Sequence, residues 1–134
     1  MYSLTETTNL TAIAECQYAI GDKLKFTKFT SCLGLFCKIK DSTKLIGIHL
    51  VLFDENDVPF TLADVATVRT VLENWDAELE TGWVVGCLDF WSSEIKSAFL
   101  EIFGDIDRER ILNSDSGFYS AEVINQAVVV TFEP

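Results

Sequence analysis

The chain is poor in the residues that most simple catalytic and metal sites require. His49 is its only histidine, and none of its four cysteines (Cys16, Cys32, Cys37 and Cys87) forms a C-x-x-C pair. A single imidazole cannot complete the common zinc sites, so neither a metal nor another cofactor is expected. The two prolines, Pro59 and Pro134, lie outside the apolar segments. No linker, internal repeat or low-complexity tract interrupts the 134 residues, a length that suits one domain with its own core. No apolar run approaches the roughly 20 residues that span a bilayer, so membrane insertion is not expected. Met1-Tyr2-Ser3-Leu4-Thr5-Glu6 lacks the basic and apolar regions of a signal peptide. A cytoplasmic location is therefore expected, with export by a signal-independent route as the other option. Positive charge is scarce too. Ten Lys and Arg against 21 Asp and Glu give a formal charge of −11. That field disfavours nucleic acid and anionic membranes and favours basic or mixed-charge protein partners.

What the chain has is apolar bulk: 49% apolar residues, with ten Phe and three Trp, exclude a disordered chain. Ala12 to Ile20 reads as a first strand ended by Gly21-Asp22, and Lys23 to Phe29 alternates as a half-buried second strand. Cys32 to Ile39 and Leu45 to Phe53 are apolar arms around the turn residues Asp41-Ser42-Thr43-Lys44, a hairpin largely buried in both arms. Leu62, Val65, Val68, Val71, Leu72 and Trp75 fall at helical spacing, which predicts a helix over Thr61–Leu79 with Thr61 and Asp64 as a capping box. Gly82 to Phe90 reads as a strand. Ser92 or Ser93 to Phe103 reads as a second helix stopped by Gly104. Arg110 to Leu112 starts another strand, Asn113-Ser114-Asp115-Ser116-Gly117 turns, and Tyr119 to Phe132 completes the sheet. The fold class is α/β: a single-domain sandwich (residues 1–134) with a mixed sheet and two main helices.

Cys32 and His49 bracket the hairpin. A cysteine becomes a nucleophile mainly as its thiolate, and a nearby imidazole is the usual group that generates one at neutral pH. The common alternative for any single cysteine in apolar surroundings is core packing. Cys37 is the other nucleophile to weigh, but strand alternation puts it on the opposite face from His49. A turn centred on Asp41 to Lys44 would place His49 opposite Phe36 and Cys32 opposite Phe53. That four-residue offset of roughly 13 Å is too far for contact. Bringing the pair together therefore calls for a longer loop from near Lys38, or a bulge. Thr27 or Thr30 could accept a hydrogen bond from the imidazole and fix its tautomer. Backbone N–H groups of Ser31, Cys32 and Leu33 are candidates for an oxyanion hole. Trp83, Phe90 and Trp91 are candidates to line a cleft, although aromatic residues at strand ends more often belong to the core. Asp54-Glu55-Asn56-Asp57 lacks the downstream glutamate of a calcium loop and reads as a solvated loop.

The motifs, taken in order, resemble the CheD family of protein-glutamine deamidases, whose fold is shared by toxin deamidases of the cytotoxic-necrotizing-factor type. Gln17-Tyr18-Ala19-Ile20 resembles the family's opening strand. Thr27-Lys28-Phe29-Thr30-Ser31-Cys32 resembles Thr-x-Gly-x-Gly-Ser-Cys shortened by one residue. Ile46-Gly47-Ile48-His49 resembles the strand ending in His-x-Met-Leu-Pro, and Val85-Gly86-Cys87-Leu88-Asp89-Phe90 resembles Gly-Gly-Ala-x-x-Phe. Asp115-Ser116-Gly117 resembles Asp-Thr-Gly-Gly. The resemblance implies Cys32 as nucleophile, His49 as base and Thr27 as the residue that orients it. It also implies a protein substrate, chemoreceptor-like or another glutamine-bearing protein, and a regulator of the CheC type. The chain departs from the family where Phe29 and Thr30 replace both motif glycines, where Phe53-Asp54 stands in place of a proline, and where Phe118 to Glu122 replaces a basic stretch.

The reaction implied is hydrolysis of a glutamine carboxamide to glutamate and ammonia through a thioester. Two other classes suit the same residues. One is a non-catalytic acidic binding protein, an inhibitor or immunity protein on a similar sandwich. The other is a thiol protease or transglutaminase-like enzyme using the same pair.

Overall fold

A computed structural model describes residues 2–104, 106, 108–114 and 116–134. Its centre is the expected hairpin, β4 (Leu33–Lys38) and β5 (Leu45–Leu50), in which every residue is buried. Burial on both faces explains why these arms read as continuous apolar runs rather than alternating ones. Further strands flank the hairpin: β1 (Thr5–Glu6), β2 (Gln17–Gly21), β6 (Trp83–Gly86) and β7 (Ile111–Asn113). Together they form a six-stranded sheet in the order β1-β2-β5-β4-β6-β7. The two outer pairs are parallel and the three inner pairs antiparallel, so the sheet is mixed.

Odd-numbered β4 residues and even-numbered β5 residues (Leu33, Leu35, Cys37, Ile46, Ile48, Leu50) face two helices, α1 (Asp64–Asn74) and α2 (Ser93–Phe103). The opposite face meets a second, antiparallel sheet of β3 (Lys23–Lys25), β8 (Phe118–Ile124) and β9 (Ala127–Glu133). Phe36, Leu45 and Val85 pack there against Leu24, Phe26, Phe29, Tyr119 and Ala121. The α/β sandwich therefore has three layers: helices, mixed sheet and small sheet.

Several boundaries differ from expectation, each for a local reason. The first helix stops at Asn74 rather than Leu79. The chain turns at Asp76, with φ 54°, so that the Asp76 carbonyl accepts from Lys40 N–H and Glu78 N–H donates to the Lys38 carbonyl. Thr61 and Asp64 form half of a capping box: the Asp64 carboxylate accepts from Thr61 N–H at 2.7 Å, but the Thr61 hydroxyl bonds that carboxylate instead of the backbone. The second helix runs as expected, with Ser92 Oγ accepting from Ile95 N–H and Gly104 at φ 72° after its last residue. The strand from Lys23 ends at Lys25; Phe26 N–H still bonds the Tyr119 carbonyl in the β8 register, but Thr27 N–H turns away to the Ile13 carbonyl. The last two strands do not complete the first sheet but build the second. Asp115, within the expected turn and the Asp-Ser-Gly resemblance, lies outside the described residues.

Gly86 sets how the central sheet reaches Cys32. Its φ is +126°, and a Cβ there would lie 2.3 Å from the Cys32 carbonyl oxygen. Only glycine tolerates both conditions. Gly86→Ala is expected to lower stability by about 2 kcal/mol or more, from strain at positive φ plus displacement of the chain at Cys32. Urea unfolding of the two proteins measures it; equal midpoints would contradict the close approach.

Candidate functional site

The hairpin register decides whether Cys32 and His49 can belong together. The observed pairing sets Gly34 opposite His49, with Ile39 N–H donating to the Lys44 carbonyl across a tight turn that places Asp41 at φ 55°. The turn is thus centred one residue earlier than its composition suggested, and neither the expected bulge nor the long loop from Lys38 is present. A one-residue change in turn centre moves the pairing by two residues. Cys32 now sits two residues from the position facing His49, roughly 7 Å along the strand, instead of four. Both side chains belong to the face that meets the small sheet, while Cys37 lies among the helix-facing residues.

His49 is fully buried. Its Nδ1 lies 2.8 Å from the Ile13 carbonyl oxygen. A carbonyl can only accept, so the ring proton is on Nδ1 and Nε2 carries the free lone pair. Nε2 is buried and has no hydrogen-bond partner among the described residues. Thr27 Oγ1 is 3.5 Å from Nδ1 and donates to the same Ile13 carbonyl at 3.4 Å. Both distances are long for such bonds, so the Ile13 carbonyl is the main orienting group and Thr27 braces it. Thr30 is exposed.

The segment before Cys32 makes its bend without the glycines of the resembling motif. No residue from Lys28 to Ser31 has a positive φ. The segment is held by reciprocal bonds between Phe29 and Gly117, by Trp91 Nε1–H donating to the Ser31 carbonyl at 2.8 Å, and by Cys87 N–H donating to the Cys32 carbonyl at 3.0 Å. Trp91 is therefore a buried clamp, whereas Phe90 is exposed. Phe29 points inward, its ring centroid 4.5 Å from that of His49, with Phe26 at 5.2 Å. Gly34 makes room for both rings: a Cβ there would lie 2.6 Å from Phe26 and 2.9 Å from Phe29. The imidazole is walled by aromatic carbon, and burial lowers its pKa to about 4, opposed by the bond to Ile13.

Cys32 is 2% exposed. Its thiol donates to Glu15 Oε2 at 3.6 Å, not to His49. Burial pushes the thiol pKa up to about 12, against backbone hydrogen bonding at Thr30 and with help from the Glu15 charge. Backbone hydrogen bonding at Thr30 and Ser31 favours the thiolate and opposes that rise. The resting pair is a neutral thiol and a neutral imidazole, with no hydrogen bond between them.

Glu15 connects the pair to an open cavity of about 600 Å³ whose lining includes Ser3, Cys16, Gln17, Phe53 and Asp54. Cys32, His49 and Thr27 are not among its lining residues. The Asp54 carboxylate is engaged, accepting from Asn56 and Val58 N–H at 2.9 Å each. Sequence reasoning missed Ile13, Glu15 and the inward Phe29. Ile13 acts through its carbonyl, which leaves no trace in side-chain identity. Glu15 read as a polar residue in a strand. Phe29 registered only as a lost glycine.

The low pKa of His49 has a consequence for stability. The folded value, about 4, lies below the ordinary 6.5, so the unfolded chain binds more protons between them. Stability should therefore fall as pH drops through that window, by up to about 3 kcal/mol at its lower end. Urea unfolding at stepped pH measures the slope, which is expected to shrink in His49→Gln.

No family model matches the chain, and no curated protein matches it. Among solved structures it is similar to the C-terminal domain of CNFy from Yersinia pseudotuberculosis, with a TM-score of 0.41 and 12% identity. The alignment covers 86% of this chain and 46% of that one, so the chain spans less than half the length of this neighbour.

Proposed function

We propose that the protein is a cysteine-dependent protein-glutamine deamidase with Cys32 as nucleophile, His49 as general base and acid, and Thr27 as a positioning residue. One observation carries the reading: the proton of His49 is held at Nδ1 by the Ile13 carbonyl, leaving Nε2 buried and, among the described residues, unpartnered on the face that Cys32 shares. A core histidine normally engages both nitrogens. An unspent Nε2 suits a group that takes a proton during reaction.

In the proposed reaction the thiol leaves Glu15 and approaches Nε2. Nε2 takes the thiol proton as sulfur attacks the carboxamide carbon, and the carbonyl oxygen gains the negative charge. The imidazolium returns that proton to the departing nitrogen, the C–N bond breaks, and ammonia leaves a thioester. Water, deprotonated by Nε2, then hydrolyses the thioester to glutamate and restores the thiol. The partner under this reading is a glutamine-bearing protein.

A second reading has its own observation. The resting thiol is bonded to Glu15 and raised to about 12, which is what a non-catalytic acidic binding protein with an inherited cysteine would show.

Two measurements separate them. Ammonia release from glutamine-containing peptides and proteins should fall at least about 100-fold in Cys32→Ser and His49→Ala. It should fall less than about tenfold in Thr27→Ala, because the Ile13 carbonyl still orients the ring. Independently of substrate, iodoacetamide should alkylate Cys32 faster in Glu15→Gln and more slowly in His49→Ala, with Cys37 unchanged in both. Alkylation of Cys32 indifferent to His49, with no ammonia released, would favour the binding protein.

A further inference from the structure

The small sheet ends in β9, whose outer edge is unpaired. Among the described residues, the main-chain hydrogen bonds of β9 run only to β8. Sheet edges of this kind are usually protected by charge, proline or a bulge. β9 has none of these along Ala127-Val128-Val129-Val130-Thr131-Phe132, and its pairing with β8 is regular over seven residues. Its single charged residue is Glu133, at the end.

The direction of each backbone group follows from the turn. Asn125 and Gln126 both have positive φ, at 50° and 68°, between the paired residues Ile124 and Ala127. This is the two-residue hairpin turn whose flanking residues exchange hydrogen bonds. Ala127, Val129, Thr131 and Glu133 therefore bond to β8, while the N–H and C=O groups of Val128, Val130 and Phe132 point to the free edge. An independent contact agrees: the carbonyl of Tyr119, paired with Phe132, faces away from β9 and accepts from Phe26 N–H at 3.1 Å. Val130 and Phe132, whose backbones are unpaired, are also half-buried apolar residues at the margin of the core.

We propose that β9 is a self-association edge, pairing antiparallel with β9 of a second copy about a two-fold axis at Val130. The three free positions are spaced evenly about Val130, so each meets a free position of the partner: Val130 meets Val130 and Val128 meets Phe132. A two-fold interface requires such a self-complementary surface. Glu133 falls opposite Ala127, so the pairing sets no like charges face to face. The second copy also covers the Val130 and Phe132 side chains. The joined small sheets make one six-stranded antiparallel sheet with six interchain hydrogen bonds. At about one bond per 100–200 Å², that corresponds to the low end of specific interfaces, a reversible dimer. Each copy carries −11, so the dimer tightens as salt screens the repulsion.

Sedimentation equilibrium of the 134-residue chain over a concentration series up to about 500 µM tests this. Reversible dimerisation is expected, stronger at high salt. Val130→Pro should remain monomeric yet keep its circular dichroism, because the lost N–H bonds nothing within the monomer. Hydrogen exchange needs no variant: the Val128, Val130 and Phe132 amides should gain protection with concentration, while Val129 and Thr131 are protected throughout. A monomer at every concentration overturns the proposal. So do larger assemblies without a dimer, a dimer that persists in Val130→Pro, or no concentration dependence at those three amides.

Discussion

The pairing of Gly34 with His49 is the constraint on which the rest of the structure depends. Both faces of β4 and β5 are buried, so a one-residue slip of β5 against β4 would exchange the helix-facing and sheet-facing residues of β5. Ile46 and Ile48 would then meet the small sheet, and His49 would enter the helix-facing core without its Ile13 partner. The same register places Gly34, which has no side chain, opposite the imidazole, and into that space come Phe26 and Phe29. Fold and candidate site are therefore set by one choice of pairing. The tight turn that closes at Ile39 and Lys44 makes that choice.

Phe29 shows how a substitution that looks like a loss can change its meaning in three dimensions. In the resembling motif a glycine gives the chain freedom to bend. Here the bend is made with ordinary φ values and fixed from outside by Gly117, Trp91 and Cys87. The freed position carries a ring that stacks on Phe26 and lies against His49 and Tyr119. That ring strengthens the junction between the two sheets and removes water from the imidazole. The two effects are inseparable, because the carbon that packs the core also lowers the pKa of His49.

The sequence was legible where local chemistry and burial agree. The second helix, with Ser92 at its start and Gly104 at its end, and the buried hairpin arms follow from periodicity and capping. The limits of the first helix did not, because Trp75 continues the helical spacing while Asp76 to Glu78 are drawn into bonds with the end of β4. The two-sheet arrangement was hidden for a similar reason: Lys23–Lys25 finds its partner nearly 100 residues later, in Ser120 to Glu122. At the candidate site, the residue types and the shared face could be read from alternation. The offset could not, since it depends on which residues close the turn. Nor could Ile13, whose contribution is a backbone oxygen that any side chain would leave unchanged.

The energetics of the pair define what the proposed reaction must accomplish. With the thiol raised to about 12 and the imidazole lowered to about 4, burial makes charging either group alone costly. That cost makes Cys32 and His49 quiet members of the core. A reacting site would have to offset most of it by closing the gap between the two side chains. Opposite charges in contact within an apolar wall attract far more strongly than in water. The same aromatic wall that suppresses each charge separately would then hold them together as a pair. Glu15 opposes this closure twice, by accepting the thiol hydrogen bond and by adding negative charge beside the sulfur. Glu15 also lines the open cavity, so a substrate entering there would meet the group that holds the thiol. In the proposed chemistry, removing Glu15 from the sulfur and closing the pair are one event, and the substrate that fills the cavity is what couples them.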